Sequence, residues 1–235
     1  MLITGASGAI GRGLALHHQA LGHDVVCVTS QTSIDPNVRS LPQLDWHLDC
    51  HYEAYSTRLV PLLSSNRFDQ IYHCAGGLHW NGRLPEKSIA QFSPDFFLQN
   101  MQRNCLSAMA LVQSLDQTMN KSSETKVAML SAMVGSISDN QLGGWYSYRA
   151  SKAALNMLIK TVSIEWKRRF PDASIIALHP GTTDSELSRP FQKNLNPNKL
   201  YSAKLTAKRL TLAINQVSSS QSGAFLNWDG GQISW

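Results

Sequence analysis

Residues 2–15 read LITGASGAIGRGLA. An apolar, β-branched opening, Leu2 to Thr4, runs into a glycine-rich segment and then a helical pattern, which predicts strand, tight turn and helix start. Gly5, Gly8 and Gly11 recur every third residue. Glycines so placed permit a tight turn, close approach of the backbone to a pyrophosphate and close packing of helix on strand. The phosphates would rest on the amides that open the helix. Such a turn can also be a plain loop, but its place at the first β–α junction favours the nucleotide reading.

The same alternation continues along the chain. Strands are predicted at Leu2–Thr4, Val25–Thr29, Asp69–Cys74, Lys126–Leu130, Ser174–Leu178 and Ala224–Asn227. Amphipathic helical segments lie between them, near Arg12–Leu21, Tyr52–Ser64, Pro94–Met119, Ser147–Arg169 and Ala203–Val217. The βαβα rhythm predicts an α/β fold of three layers, a doubly wound parallel sheet covered on both faces. With 235 residues and 43% hydrophobic content, the expectation is a single domain, residues 1–235, with a sizeable core.

The bulk numbers also exclude functions. No apolar run approaches the roughly 20 residues that cross a bilayer, and no charged-then-apolar leader opens the chain. The four cysteines, Cys27, Cys50, Cys74 and Cys105, show no close pairing. They read as thiols in a reducing cytoplasm. The net charge is +5, but the dense basic run is Lys167-Arg168-Arg169 at a predicted helix end. Cations are favoured there by the helix dipole, so a nucleic-acid footprint is not expected. An anionic cofactor would use part of the charge. His47, Cys50 and His51 lie close together, yet a structural zinc needs four well-placed ligands. No metal is expected.

After the second strand, dinucleotide sites often carry an acid that grips the ribose 2′-hydroxyl. Here the chain reads CVTSQTS, with Thr29, Ser30 and Gln31 and no acid. Hydroxyls and an amide can donate to a 2′-phosphate that an acid would repel, so NADP(H) is favoured over NAD(H). Asp49 is a candidate for the adenine amino group. Ala75 and Gly76 end the strand of HCAGG, where a side chain would collide with a flat ligand. Ligands of open sheets bind at the carboxyl ends of strands, where all these residues fall.

Farther on, GGWYSYRASKAALNM holds Tyr146, Tyr148 and Lys152. Positions i and i+4 share a helix face, so Tyr148 meets Lys152, whereas Tyr146 has Ala150 in that place. A phenol titrates near about 10, and a nearby ammonium lowers that value. Tyr148 is then a candidate general acid/base, and Tyr146 a packing or pocket residue.

Together the pieces TGASGAIG, CAGG, YSYRASK and HPGTTDS resemble the short-chain dehydrogenase/reductase family over nearly the whole chain. The stretch GSISDNQLGGWYSYRASKAALNM is similar to its C-factor and sniffer-type carbonyl reductase branch. The resemblance implies a Rossmann-type fold, with Tyr148 as general acid/base and Lys152 lowering its pKa and holding the nicotinamide ribose. It implies Asn104 as the residue supporting that lysine through a water. Gly5, Ser7, Gly8, Ile10 and Gly11 would form the phosphate turn. Pro180, Gly181, Thr183 and Ser185 would contact the nicotinamide, and residues 185–205 would form the substrate loop. Phe191 and Trp145 are candidates for walls of an apolar pocket. A homodimer or homotetramer, joined through the long helices, is also implied.

The chain departs from the family in two places that matter. The central glycine stands one position early, with Ala9 in its usual place. The serine that hydrogen-bonds the substrate carbonyl falls on Ala132, in LSAMVGS, leaving Ser131 as the candidate and Ser136 as its rival. Losing one oxyanion donor costs about 10²–10³ in rate. Two functions therefore stand: an NADP(H)-dependent reductase interconverting a small-molecule carbonyl and its alcohol, and a nucleotide-binding regulatory protein with weak or no catalysis.

Overall fold

The computed structural model describes residues 1–30, 38, 44–47 and 55–235. The strands are β1 (Leu2–Thr4), β2 (Val25–Val28), β3 (Leu44–His47), β4 (Gln70–His73), β5 (Lys126–Leu130), β6 (Ser174–His179), β7 (Thr182–Thr183), β8 (Leu200–Tyr201) and β9 (Phe225–Asn227). The helices are α1 (Ala9–Ala20), α2 (Tyr55–Ser65), α3 (Pro94–Met101), α4 (Ser107–Thr118), α5 (Tyr146–Arg169) and α6 (Ala203–Gln216). A seven-stranded sheet runs β3-β2-β1-β4-β5-β6-β9, parallel at every pairing. The order reverses between β1 and β4, and ligands of doubly wound sheets bind in the crevice at such a switch point.

Both faces are covered because the strands alternate apolar residues on both sides. Leu2, Val28, Ile71, Val127, Met129, Ile175 and Ala177 pack with α2, α4 and α5 through Leu59, Leu111, Leu155 and Ile159. Ile3, Cys27, Tyr72, Ala128, Ile176 and Leu178 pack on the other face with α1 and α6 through Leu14, Leu210 and Ile214.

Each predicted strand is present. The sequence reading missed β3, whose LDWH alternates polar with apolar residues at the sheet edge, and the short pair β7–β8, joined in parallel. The helix expected over Pro94–Met119 is continuous but not uniform. Gln102–Leu106, between α3 and α4, is a π-helical turn, a feature found often at functional sites. No helix among the described residues is long and apolar enough to cross a membrane.

The sheet centre holds a neutral histidine. His73 is fully buried, with Thr4 Oγ1 at 2.7 Å from Nδ1 and Ser107 Oγ at 3.3 Å from Nε2. Burial, with Lys152 nearby, lowers its pKa to about 3. Below its ordinary value the unfolded chain takes up a proton that the folded chain refuses, so stability is lost as pH falls. The slope is about 1.4 kcal/mol per pH unit for such a group. The urea midpoint is expected to drop steadily from pH 6.5 to pH 5; a flat midpoint would contradict a neutral, buried His73.

Candidate active site

The carboxyl ends of β4, β5 and β6 open on a cleft of about 510 Å³. Its walls include Ile10 from α1, Ala75 and Gly76 after β4, Ser131 and Ala132 after β5, and Tyr148 and Lys152 from α5. Pro180, Gly181, Thr183 and Ser185 line it beyond β6. The segment expected as a substrate loop lies against it through Leu187, Ser188, Phe191 and Leu195. It contains 3₁₀ turns at Arg189–Asn194 and Pro197–Lys199.

The glycine turn lies at the first β–α junction. Gly5 has φ +70°, and a Cβ there would stand 2.5 Å from the backbone nitrogen of Ala75, so a side chain is excluded by conformation and by space. Gly8 is the N-cap of α1, and its N–H donates to the Gly5 carbonyl at 3.1 Å. No acid occupies the first turn of α1, which leaves the positive end of the helix unopposed toward an anion. Ser7 Oγ lies 2.7 Å from Thr29 Oγ1 at the end of β2, and Ser30 beside it is exposed. Asp49 and Gln31 lie outside the described residues, as do Cys50 and His51.

Tyr148 and Lys152 stand on one face of α5, both buried, with Lys152 Nζ 5.8 Å from the phenol ring centroid. Lys152 Nζ donates to the Leu130 carbonyl at 2.9 Å. Burial lowers the lysine to about 8, partly offset by the thiols of Cys105 and Cys74. Burial also pushes the Tyr148 phenol well above its ordinary value. In this geometry the cause of that shift is desolvation of the ring. Tyr146 is half-buried and is not part of the cleft wall.

The start of α5 is held by a residue the sequence reading missed. Glu86 is 2% exposed. Its carboxylate accepts the Ser147 N–H at 3.2 Å and the Ser147 hydroxyl, and its carbonyl accepts the Trp145 N–H at 2.6 Å. Gly143, Gly144 and Trp145 have φ of 64°, 64° and 52°, an unusual conformation for a bulky side chain. It turns Trp145 into the cleft, with its ring 4.7 Å from Phe191 and 6.3 Å from Tyr148.

Asn104, on the π-helical turn, is fully buried. Its Oδ1 accepts the Gly77 N–H at 2.9 Å, and its Nδ2 donates to the Gly77 carbonyl at 2.9 Å and to Ser151 Oγ at 3.0 Å. A Cβ on Gly76 would stand 2.8 Å from that Oδ1 and 3.6 Å from Lys152 Nζ.

Ser131 reaches the cleft wall, but its hydroxyl donates to Asn156 Oδ1 at 2.6 Å. Ser136 lies in a different depression, with its Oγ accepting the Asp139 N–H. Thr183 Oγ1 pairs with Thr206 Oγ1 at 2.8 Å, and Ser185 Oγ donates to the Thr183 carbonyl at 3.2 Å. His179, also in the wall and also missed from sequence, accepts the Met133 N–H on Nδ1 at 3.3 Å. In HPGTTDS the proline and glycine drew the reading, and nothing in the spacing marked the histidine.

The residues present fit a dinucleotide: the first turn of α1 carries no acid to repel a phosphate, and Gly76 keeps the floor beside Lys152 clear. Residues 1–196 match the family described as short chain dehydrogenase. The chain is 25% identical over 238 residues to 1-hydroxy-2-glutathionyl-2-methyl-3-butene dehydrogenase of Rhodococcus sp. (strain AD45), covering 100% of this chain and 99% of that one. It is 29% identical over 187 residues to benzil reductase ((S)-benzoin forming) of Bacillus subtilis (strain 168), covering 79% and 75% of the two. Among solved structures, the fold is similar to carbonyl reductase Sniffer of D. melanogaster, with TM-score 0.84, 19% identity and coverage of 100% and 98%. It is also similar to NADPH-bound carbonyl reductase from chicken fatty liver, with TM-score 0.81, 23% identity and coverage of 100% and 98%. The chain belongs to the short-chain dehydrogenase/reductase family of oxidoreductases.

Proposed function

We propose that this protein is an NADPH-dependent carbonyl reductase in which Tyr148 supplies the proton. The observation that carries the reading is the pairing of Tyr148 and Lys152 on one face of α5, in a cleft that Ile10 of α1 also lines. Bound nicotinamide would supply the hydride. The amides at the start of α1 would hold its phosphates, Thr29 and Ser30 the 2′-phosphate, Asp49 the adenine, and Lys152 the nicotinamide ribose. Ala75, Gly76, Pro180, Gly181, Thr183 and Ser185 would complete its cradle.

A protonated phenol can quench an alkoxide as it forms, and the same group as phenolate can take the proton in alcohol oxidation. Trp145 and Phe191 give the substrate end an apolar, aromatic wall, which suits carbonyls with a flat apolar substituent.

Exposed Leu98, Leu106, Met157 and Ile164 on α3, the π-helical turn and α5 support association into a homodimer or homotetramer, with the whole chain as one domain. Cys74 and Cys105 carry free thiols, in keeping with a cytoplasmic home. A second reading, nucleotide binding with little catalysis, is favoured by Ala132 and by the engagement of Ser131 with Asn156.

Tyr148→Phe separates the two. With NADPH and a panel of aldehydes, ketones and quinones, the variant should lose about 10²–10⁴ in kcat while binding NADPH as before. Reduction that survives the change undiminished overturns the role of Tyr148. No reduction by the unaltered protein favours the regulatory reading.

A further inference from the structure

Reduction of a carbonyl builds negative charge on its oxygen, and a second donor beside the proton source is worth a large factor in rate. Ala132 has no hydroxyl to give. Ser131 donates its own to Asn156 at 2.6 Å, and Ser136 lies in another depression. The hydroxyls of Ser185 and Ser188 are also engaged, each donating to the Thr183 carbonyl.

One further polar side chain borders this part of the cleft, that of His179. His179 is the last residue of β6, the strand beside β5, and the Ser131 N–H donates to the Leu178 carbonyl at 2.9 Å. Its Nδ1 accepts the backbone N–H of Met133, the residue after Ala132. A neutral imidazole that accepts on Nδ1 carries its proton on Nε2. Burial lowers the ring to about 4, so that form prevails at neutral pH. His179 lines the cleft together with Ala132, Tyr148 and Lys152.

We propose that His179 is a catalytic residue of the carbonyl reductase reading, its Nε2–H donating to the substrate's carbonyl oxygen in place of the hydroxyl absent at Ala132. The ring keeps its proton throughout. The proton that converts alkoxide to alcohol comes from the Tyr148 phenol, which then regains one from solvent. The Met133 N–H fixes which nitrogen carries the proton and how the ring is turned, a second contact of the kind that orients histidines in other sites.

Two isosteric variants divide this role from a structural one. His179→Asn places an acceptor near the Nδ1 position and removes the Nε2 donor; His179→Gln places an amide donor near the Nε2 position. With NADPH and benzil, an aromatic aldehyde and a quinone, His179→Asn should lose about 10²–10³ in kcat with its NADPH affinity unchanged. His179→Gln should retain the larger part of the rate. Adding Ala132→Ser to His179→Asn should restore at least about tenfold, because a hydroxyl then stands where the family carries one. A merely structural histidine predicts that Ala132→Ser adds the same factor with and without His179, whereas a donor role predicts a larger gain in the His179→Asn background. Full activity of His179→Asn, or a loss that Ala132→Ser leaves untouched, overturns the proposal. Tyr148→Phe measured alongside keeps the two ideas apart. A rate that needs Tyr148 but not His179 sinks this inference alone. No reduction by the unaltered protein, or indifference to Tyr148→Phe, sinks the reading on which it rests.

Discussion

One buried amide ties the candidate site together. Asn104 has no access to solvent, so each of its polar atoms must find a partner inside the protein. It pairs with both backbone groups of Gly77 and with Ser151, the residue before Lys152. The loop after β4, the π-helical turn and α5 are thereby held in one register. Losing that side chain would strand the Gly77 N–H and carbonyl, at a cost of about 1–3 kcal/mol for each group left unsatisfied. The extra residue of the π turn belongs to the same arrangement, since it lies where Asn104 reaches across to both neighbours.

The second constraint is electrostatic. Two polar groups of α5, the Tyr148 phenol and the Lys152 amine, are buried, and burial acts on both toward the neutral form. Lysine is partly compensated by the Leu130 carbonyl. At the start of the same helix, Glu86 places a carboxylate on the Ser147 N–H, where a negative charge is favoured by the helix dipole. The Glu86 carbonyl, which accepts the Trp145 N–H, holds Trp145 in its left-handed conformation. Backbone strain of this sort persists only where the surroundings over-determine it, and here the surroundings are Glu86 on one side and Phe191 on the other. The Tyr148 phenol and the aromatic wall of the cleft are thus set by one helix terminus.

Much of this was legible in the sequence, because much of it is local. The βαβα rhythm follows from residue periodicity, the glycine turn from spacing at a strand end, and the Tyr148–Lys152 pair from one helical turn. What was not legible depends on partners far along the chain. Glu86 gains its meaning from Ser147, and His179 from Met133. The engagement of Ser131 with Asn156 could not be read from LSAMVGS, nor could the depth to which Tyr148 is buried. The edge strand β3 escaped because its four residues alternate and carry no turn signal that a short polar loop would lack.

The proposed catalysis requires a dinucleotide in the cleft, with its 2′-phosphate near Ser30. A titration of tryptophan fluorescence with NADPH and, separately, with NADH measures this. Saturable binding of both is expected, with NADPH the tighter. Binding of neither would contradict the proposed catalysis at its base, and tighter binding of NADH would overturn the reading of Thr29 and Ser30.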